Sequence, residues 1–120
     1  MSFYMEPEHE LSALTHILAS YFRNARYDPK NIEKWIHLGE SSATTGQKKQ
    51  RTSKKLTQVV ASEVLGITPR AYSDLENEHN LCKFIIFCRF LGKFCDDETR
   101  NRMCRDIYAL YQKEPLENEI

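Results

Sequence analysis

Apolar residues recur at helical spacing in six stretches of the chain, and nowhere does a sustained two-residue alternation suggest a strand. Leu11, Leu14, Leu18, Tyr21 and Phe22, with Ile17 and Ala25 alongside, predict a helix over about 8–26 that Tyr27-Asp28-Pro29 breaks. A shorter helix over 31–38 gathers Ile32, Trp35 and Ile36 on one face. After a small, polar and then lysine-rich interval, two short periodic segments follow in quick succession. Ala61, Val64 and Leu65 mark the first, over 58–65; Ala71, Tyr72 and Leu75 mark the second, over 69–77. Phe84, Phe87, Cys88, Phe90, Leu91 and Phe94 then predict an aromatic core helix over 83–94. Asp96-Asp97-Glu98 caps a last one, carrying Met103, Ile107, Leu110 and Tyr111 to about Lys113, and Pro115 ends it. The fold class expected is all-α.

The two short segments set the functional reading. Thr57 has the chemistry of an N-cap, and Gly66 can take the left-handed conformation that a sharp helix exit needs. Ile67 can plug the corner. Thr68-Pro69 is a cap followed by proline at the first helical position, so a second helix starts there. Its buried side is Ala71, Tyr72 and Leu75, which leaves Pro69, Arg70, Ser73 and Asp74 directed outward. Two short helices on a glycine turn, the second exposing small polar residues and an arginine near its start, make a helix-turn-helix.

With these residues on the page, the segment resembles the phage-repressor class of helix-turn-helix proteins, the Xre, lambda repressor and Cro-like family. Thr57-Gln58, Ala61 and Ser62, Leu65-Gly66-Ile67-Thr68 and Ser73-Asp74-Leu75-Glu76-Asn77 carry the resemblance, which spans the middle of the chain. It implies a lambda repressor-like DNA-binding domain with two additional N-terminal helices. Thr68, Arg70, Ser73 and Asp74 would then face base edges, and Gln58 a phosphate. It also puts Arg51 where the family often carries a first-helix arginine paired with the residue that is Glu76 here. The chain departs from the pattern in having Glu78 where the family has glycine after Glu-Asn. The corresponding first helix would fall over 44–53, which has almost no apolar side chain; a frayed helix or a loop is expected there, with the N-terminal helices taking over its packing.

Charge sharpens this picture where composition does not. The 120 residues carry zero net charge, yet between Gly46 and Tyr72 the basic residues Lys48, Lys49, Arg51, Lys54, Lys55 and Arg70 face one acid, Glu63, a net of +5. Acids collect at the ends instead, as Glu6, Glu8 and Glu10 and as Glu114, Glu117 and Glu119. A basic patch beside a candidate recognition helix suits a phosphate backbone, and Lys48, Lys49, Arg51, Lys54 and Lys55 with Gln58 are the expected phosphate contacts.

The organisation expected is an N-terminal helical extension over 1–42 for packing or dimerisation, a helix-turn-helix domain over 43–113 and an acidic tail over 114–120. No run of residues is long and apolar enough to cross a bilayer, and the N-terminus lacks the order of a secretion signal, so a cytoplasmic protein is expected. Cys82, Cys88, Cys95 and Cys104 never form Cys-x-x-Cys and are expected to be buried, reduced thiols; no metal and no cofactor are expected. A phosphate-binding glycine loop, a His-Glu-x-x-His motif and a carboxylate pair in a catalytic setting are all missing, so the chain is not read as an enzyme. The expected partners are double-stranded DNA and a second copy, since one unit reads only a few base pairs. A protein-interaction module, such as an antitoxin or adaptor on the same fold, is the alternative.

Overall fold

A computed structural model describes residues 6–42 and 55–112, with the side chains of 39–42 left out of that description. Among the described residues the secondary structure is six α-helices: α1 (Pro7–Tyr27), α2 (Pro29–Ser42), α3 (Gln58–Leu65), α4 (Pro69–Glu76), α5 (Phe84–Phe94) and α6 (Asp97–Gln112). None of them is long and apolar enough to cross a membrane. The expected helix over 44–53 and Lys48, Lys49, Arg51 and Lys54 lie outside the described residues.

Helix ends follow from local chemistry. The Thr57 hydroxyl accepts from the Val60 N–H at 3.1 Å and the Thr68 hydroxyl from the Ala71 N–H at 3.0 Å, satisfying one orphan donor at the start of α3 and of α4. Gly66 leaves α3 at φ 76°, and the Ile67 and Gly66 N–H groups return to the Ser62 and Glu63 carbonyls. The guanidinium of Arg89 on α5 caps the same corner through the Leu65 carbonyl at 2.9 Å. Asp96 accepts from the Thr99 N–H at 2.8 Å and so starts α6.

At the far end of α4 a non-glycine residue takes the left-handed position. Glu78 takes φ 64°, and the His79 and Glu78 N–H groups bond to the Asp74 and Leu75 carbonyls in the same Schellman pattern. A left-handed glutamate is strained by about 1 to 2 kcal/mol. The paired backbone bonds hold it there, with the Glu78 carboxylate 2.9 Å from Nδ1 of His16 on α1.

One core joins α1, α3, α4, α5 and α6 through Leu18, Phe22, Val60, Leu65, Tyr72, Phe90 and Met103. Phe22 is central to it: its ring lies 4.6 Å from Phe90 and 6.1 Å, edge-on, from Tyr72, whose hydroxyl donates to the Phe22 carbonyl. Segment 1–42 thus contributes α1 to the same core as α3 and α4. Outside that centre, α2 packs on α1 and α3, and the Trp35 indole donates to the Lys93 carbonyl.

Two expectations about burial are corrected. On α5 the inward residues are Ile86, Phe90 and Phe94, with Phe87 and Leu91 half-buried, whereas Phe84 is 78% exposed. A helix apolar on nearly every face cannot announce which face is inward. Of the cysteines, all free, Cys95 is buried and Cys82 half-buried, but Cys88 and Cys104 are exposed.

Candidate nucleic-acid interface

The outward face of α4 follows from its buried one. Tyr72, Leu75 and Glu76 point into the protein, so at 100° per residue Arg70 and Asp74 point directly away, with Ser73 and Asn77 beside them. The Arg70 side chain is 88% exposed, its Nε 3.9 Å from Asp74 Oδ1. Asp74 is also approached by His79 Nδ1 at 3.3 Å, and Ser73 Oγ accepts from Asn77 Nδ2 at 3.2 Å. Thr68 is exposed at the mouth of the helix. The four expected base-reading residues therefore share one end and face of α4, Thr68 and Arg70 exposed and Ser73 and Asp74 half-buried. Asn77, exposed at the end of α4, joins them although the sequence reading did not name it as a base-reading residue.

A buried polar network fixes α4 from behind. Arg26 of α1 donates through Nε to Glu76 Oε2 at 2.7 Å and through Nη2 to Oε1 at 2.9 Å, a two-pronged pair, and through Nη1 to the Leu56 carbonyl at 2.9 Å. Gln58 Nε2 donates to Glu76 Oε1 at 3.0 Å, and Arg23 of α1 reaches the Glu76 carbonyl at 2.7 Å. Burial alone would raise the Glu76 carboxyl; the Arg26 hydrogen bonds, helped by Tyr72, the Arg26 charge and Gln58, more than offset that and hold it below its ordinary value. Burial would likewise lower Arg26, and the Glu76 contacts reverse it.

Arg51, expected to pair with Glu76, lies outside the described residues. Among the described residues the arginine that meets both carboxylate oxygens is Arg26, from the N-terminal helix α1. A sequence signal existed: Thr15, Ala19, Phe22 and Arg26 lie on one buried stripe of α1, and an arginine in line with core residues calls for a buried acid. Gln58, expected at a phosphate, is half-buried with its amide directed at Glu76.

Of the basic residues expected at phosphates, Lys55 alone falls within the described residues. Lys55 is exposed just before α3, its ammonium 5.6 Å from the Tyr27 ring centroid. Among the described residues no group of three or more His, Cys, Asp or Glu side chains is arranged to hold a metal ion. Comparison with protein-family models, with curated proteins and with solved structures finds no match for this chain.

Proposed function

We propose that the protein is a sequence-specific, double-stranded DNA-binding transcriptional regulator of the lambda repressor-like helix-turn-helix class, acting as a repressor, with α4 entering the major groove. The observation that carries this reading is the outward face of α4: Thr68 and Arg70 are exposed and Ser73 and Asp74 half-buried beside them, on a helix whose opposite side is locked by Glu76. In this reading Arg70 makes a two-pronged contact with guanine, Ser73 and Asp74 read an adenine or cytosine edge, and Thr68 contacts base or phosphate. Lys55 and the basic run before it, Lys48, Lys49, Arg51 and Lys54, hold phosphates and set register without sequence information. Gln58 contributes to a phosphate only through whatever donor its Glu76 bond leaves over. Because one unit spans few base pairs, the working species is a homodimer on a two-fold symmetric site.

Selection from randomised duplexes followed by fluorescence anisotropy tests this. A preferred duplex is expected, its affinity falling steeply with salt by roughly 0.9 log unit per log unit of salt for each phosphate neutralised. Arg70→Ala is expected to weaken binding by about 1 to 3 kcal/mol and relax preference at one position. Lys54→Ala should weaken all sequences alike. Recovery of no preferred duplex, together with a tight protein ligand, would replace this reading by the interaction-module one, which the exposed apolar side chains Leu11 and Phe84 would then explain.

A further inference from the structure

An apolar groove of about 280 Å³ lies between α1 and the α5–α6 side of the molecule, walled by Leu14 and Leu18 on one side and by Leu81, Phe84, Phe87 and Ile107 on the other. Three observations bear on what covers it. The first is its shape: Phe84 both lines the groove and stands 78% exposed on its rim. A knob next to a hole on the same surface is self-complementary, because a two-fold axis through the groove sets each Phe84 into the other copy's opening and closes the assembly at two.

The second is area. Leu11 continues the α1 wall one turn before Leu14 and is 52% exposed, and Tyr111 continues the α6 wall one turn after Ile107. With Phe84, Leu81 and the half-buried lining, this face presents on the order of 600 Å² of apolar surface, against about 800 Å² per partner in a standard interface. A polar rim supplies the remainder. The third is charge. Lys83 stands exposed on the α5 wall, while exposed Glu8 and half-buried Glu10, which accepts from the Tyr111 hydroxyl at 2.6 Å, occupy the first turn of α1 at the opposite wall. A two-fold axis exchanges the walls, so each lysine faces the other copy's acids.

We infer that this groove is the surface through which two copies of the chain pair. The inference rests on the DNA reading only in giving that reading its second half-site; the pairing itself is measurable without DNA. Leu81 lies on the connector that leaves α4, so the interface adjoins the exit of the proposed reading helix and fixes one such helix relative to the other.

Sedimentation equilibrium on the full chain is the test. The wild type is expected to be a dimer at micromolar concentration. Phe84→Glu should weaken self-association at least about 100-fold while leaving helical circular dichroism unchanged, since the ring makes little use of its own protomer. Lys83→Glu should weaken it about 10-fold without lowering monomer stability, because an acid at the start of α5 suits the helix dipole. Tyr108→Glu, on an exposed face of α6 away from the groove lining, should leave the dimer intact. A wild type that stays monomeric at 200 micromolar, leaving the groove to an amphipathic helix of another protein, overturns the inference, as does a Phe84→Glu variant that remains dimeric. A dimer that binds no duplex would sink the DNA reading and leave this one standing.

Discussion

Removing the Glu76 carboxylate should cost more than any other single change at the surface-facing helix pair. The carboxylate accepts three side-chain hydrogen bonds, two from Arg26 and one from Gln58, and Glu76 is 3% exposed. In Glu76→Ala the Arg26 guanidinium keeps only its bond to the Leu56 carbonyl and stays charged, because guanidinium does not release its proton in a protein. Breaking a buried pair from one side costs about 3 to 5 kcal/mol. A domain of this size has about 5 to 15 kcal/mol in total, so roughly a fifth or more of its stability goes, with a fall in melting temperature of roughly 15 to 30 °C. Arg26→Met is the informative partner. It leaves an acid that can take up a proton, so its deficit shrinks as pH falls toward 5, whereas that of Glu76→Ala does not. Replacing both by apolar residues of matching volume should recover most of the loss, as buried pairs exchanged whole are close to neutral. Urea denaturation followed by circular dichroism across the four proteins of the cycle measures all of this. Additive losses in the double variant, or a Glu76→Ala cost below about 1 kcal/mol, would mean that the network does not hold α4.

Three further outcomes are expected. Glu78→Gly relieves a left-handed backbone at φ 64° and forfeits only an exposed contact to His16, so it should stabilise by about 0.5 to 1 kcal/mol in the same denaturation assay. Stability should form a plateau in pH. Glu76 and Asp96 are held below their ordinary values, Glu76 by Arg26 against its burial and Asp96 by the Lys30 hydrogen bond first, so their contribution is complete above about pH 4.5 and is lost on acidification. Tyr21 is pushed up to about 12 by burial and then by its bond to Asp106, and Tyr72 higher still by burial and Glu76; their contribution is complete below pH 10 and lost as pH rises past it. A urea midpoint that does not fall at both limbs would contradict these assignments. Lastly, a thiol reagent at neutral pH should modify Cys88 and Cys104 quickly, while Cys95 and Cys82, pushed by burial up to about 12 and about 11, should wait for unfolding.

The helices themselves were legible because their boundaries are written in single residues. Thr57, Gly66, Thr68 and Pro69 each do one conformational task, and α3 and α4 begin and end where those residues say. The outward face of α4 was legible for the same reason: with Tyr72 and Leu75 inward, periodicity leaves no choice for Arg70 and Asp74. What periodicity could not give was facing and partnership. In α5 nearly every position is apolar, so Phe84 and Cys88 could not be told from Phe90. Arg26 lies fifty positions from Glu76 in sequence, and only proximity in the fold shows that the two meet. It does so because α1 offers a buried stripe, Thr15, Ala19, Phe22 and Arg26, against which α4 lies.

The other contacts of Arg26 bear on the lysine-rich stretch. The Leu56 N–H donates to the Arg26 carbonyl at 2.8 Å, while the Arg26 guanidinium returns a bond to the Leu56 carbonyl, so two residues thirty positions apart in sequence are joined by both backbone and side chain. The chain between them, which includes α2, thus leaves and returns at one closed neck. Its length is cheap, because the entropy of closing a loop grows only with the logarithm of its size. Within that stretch α2 packs on α1 and α3, so it is residues 43–54 whose replacement the core is expected to tolerate, and charge there is expected to carry no penalty for the core. Replacing 43–54 by a short glycine-serine link should accordingly leave the melting temperature within about 3 °C, less than the shift expected for 1 kcal/mol. The same change should reduce duplex affinity and flatten its salt dependence. A large loss of stability in that variant would show that the basic run is a structural element after all.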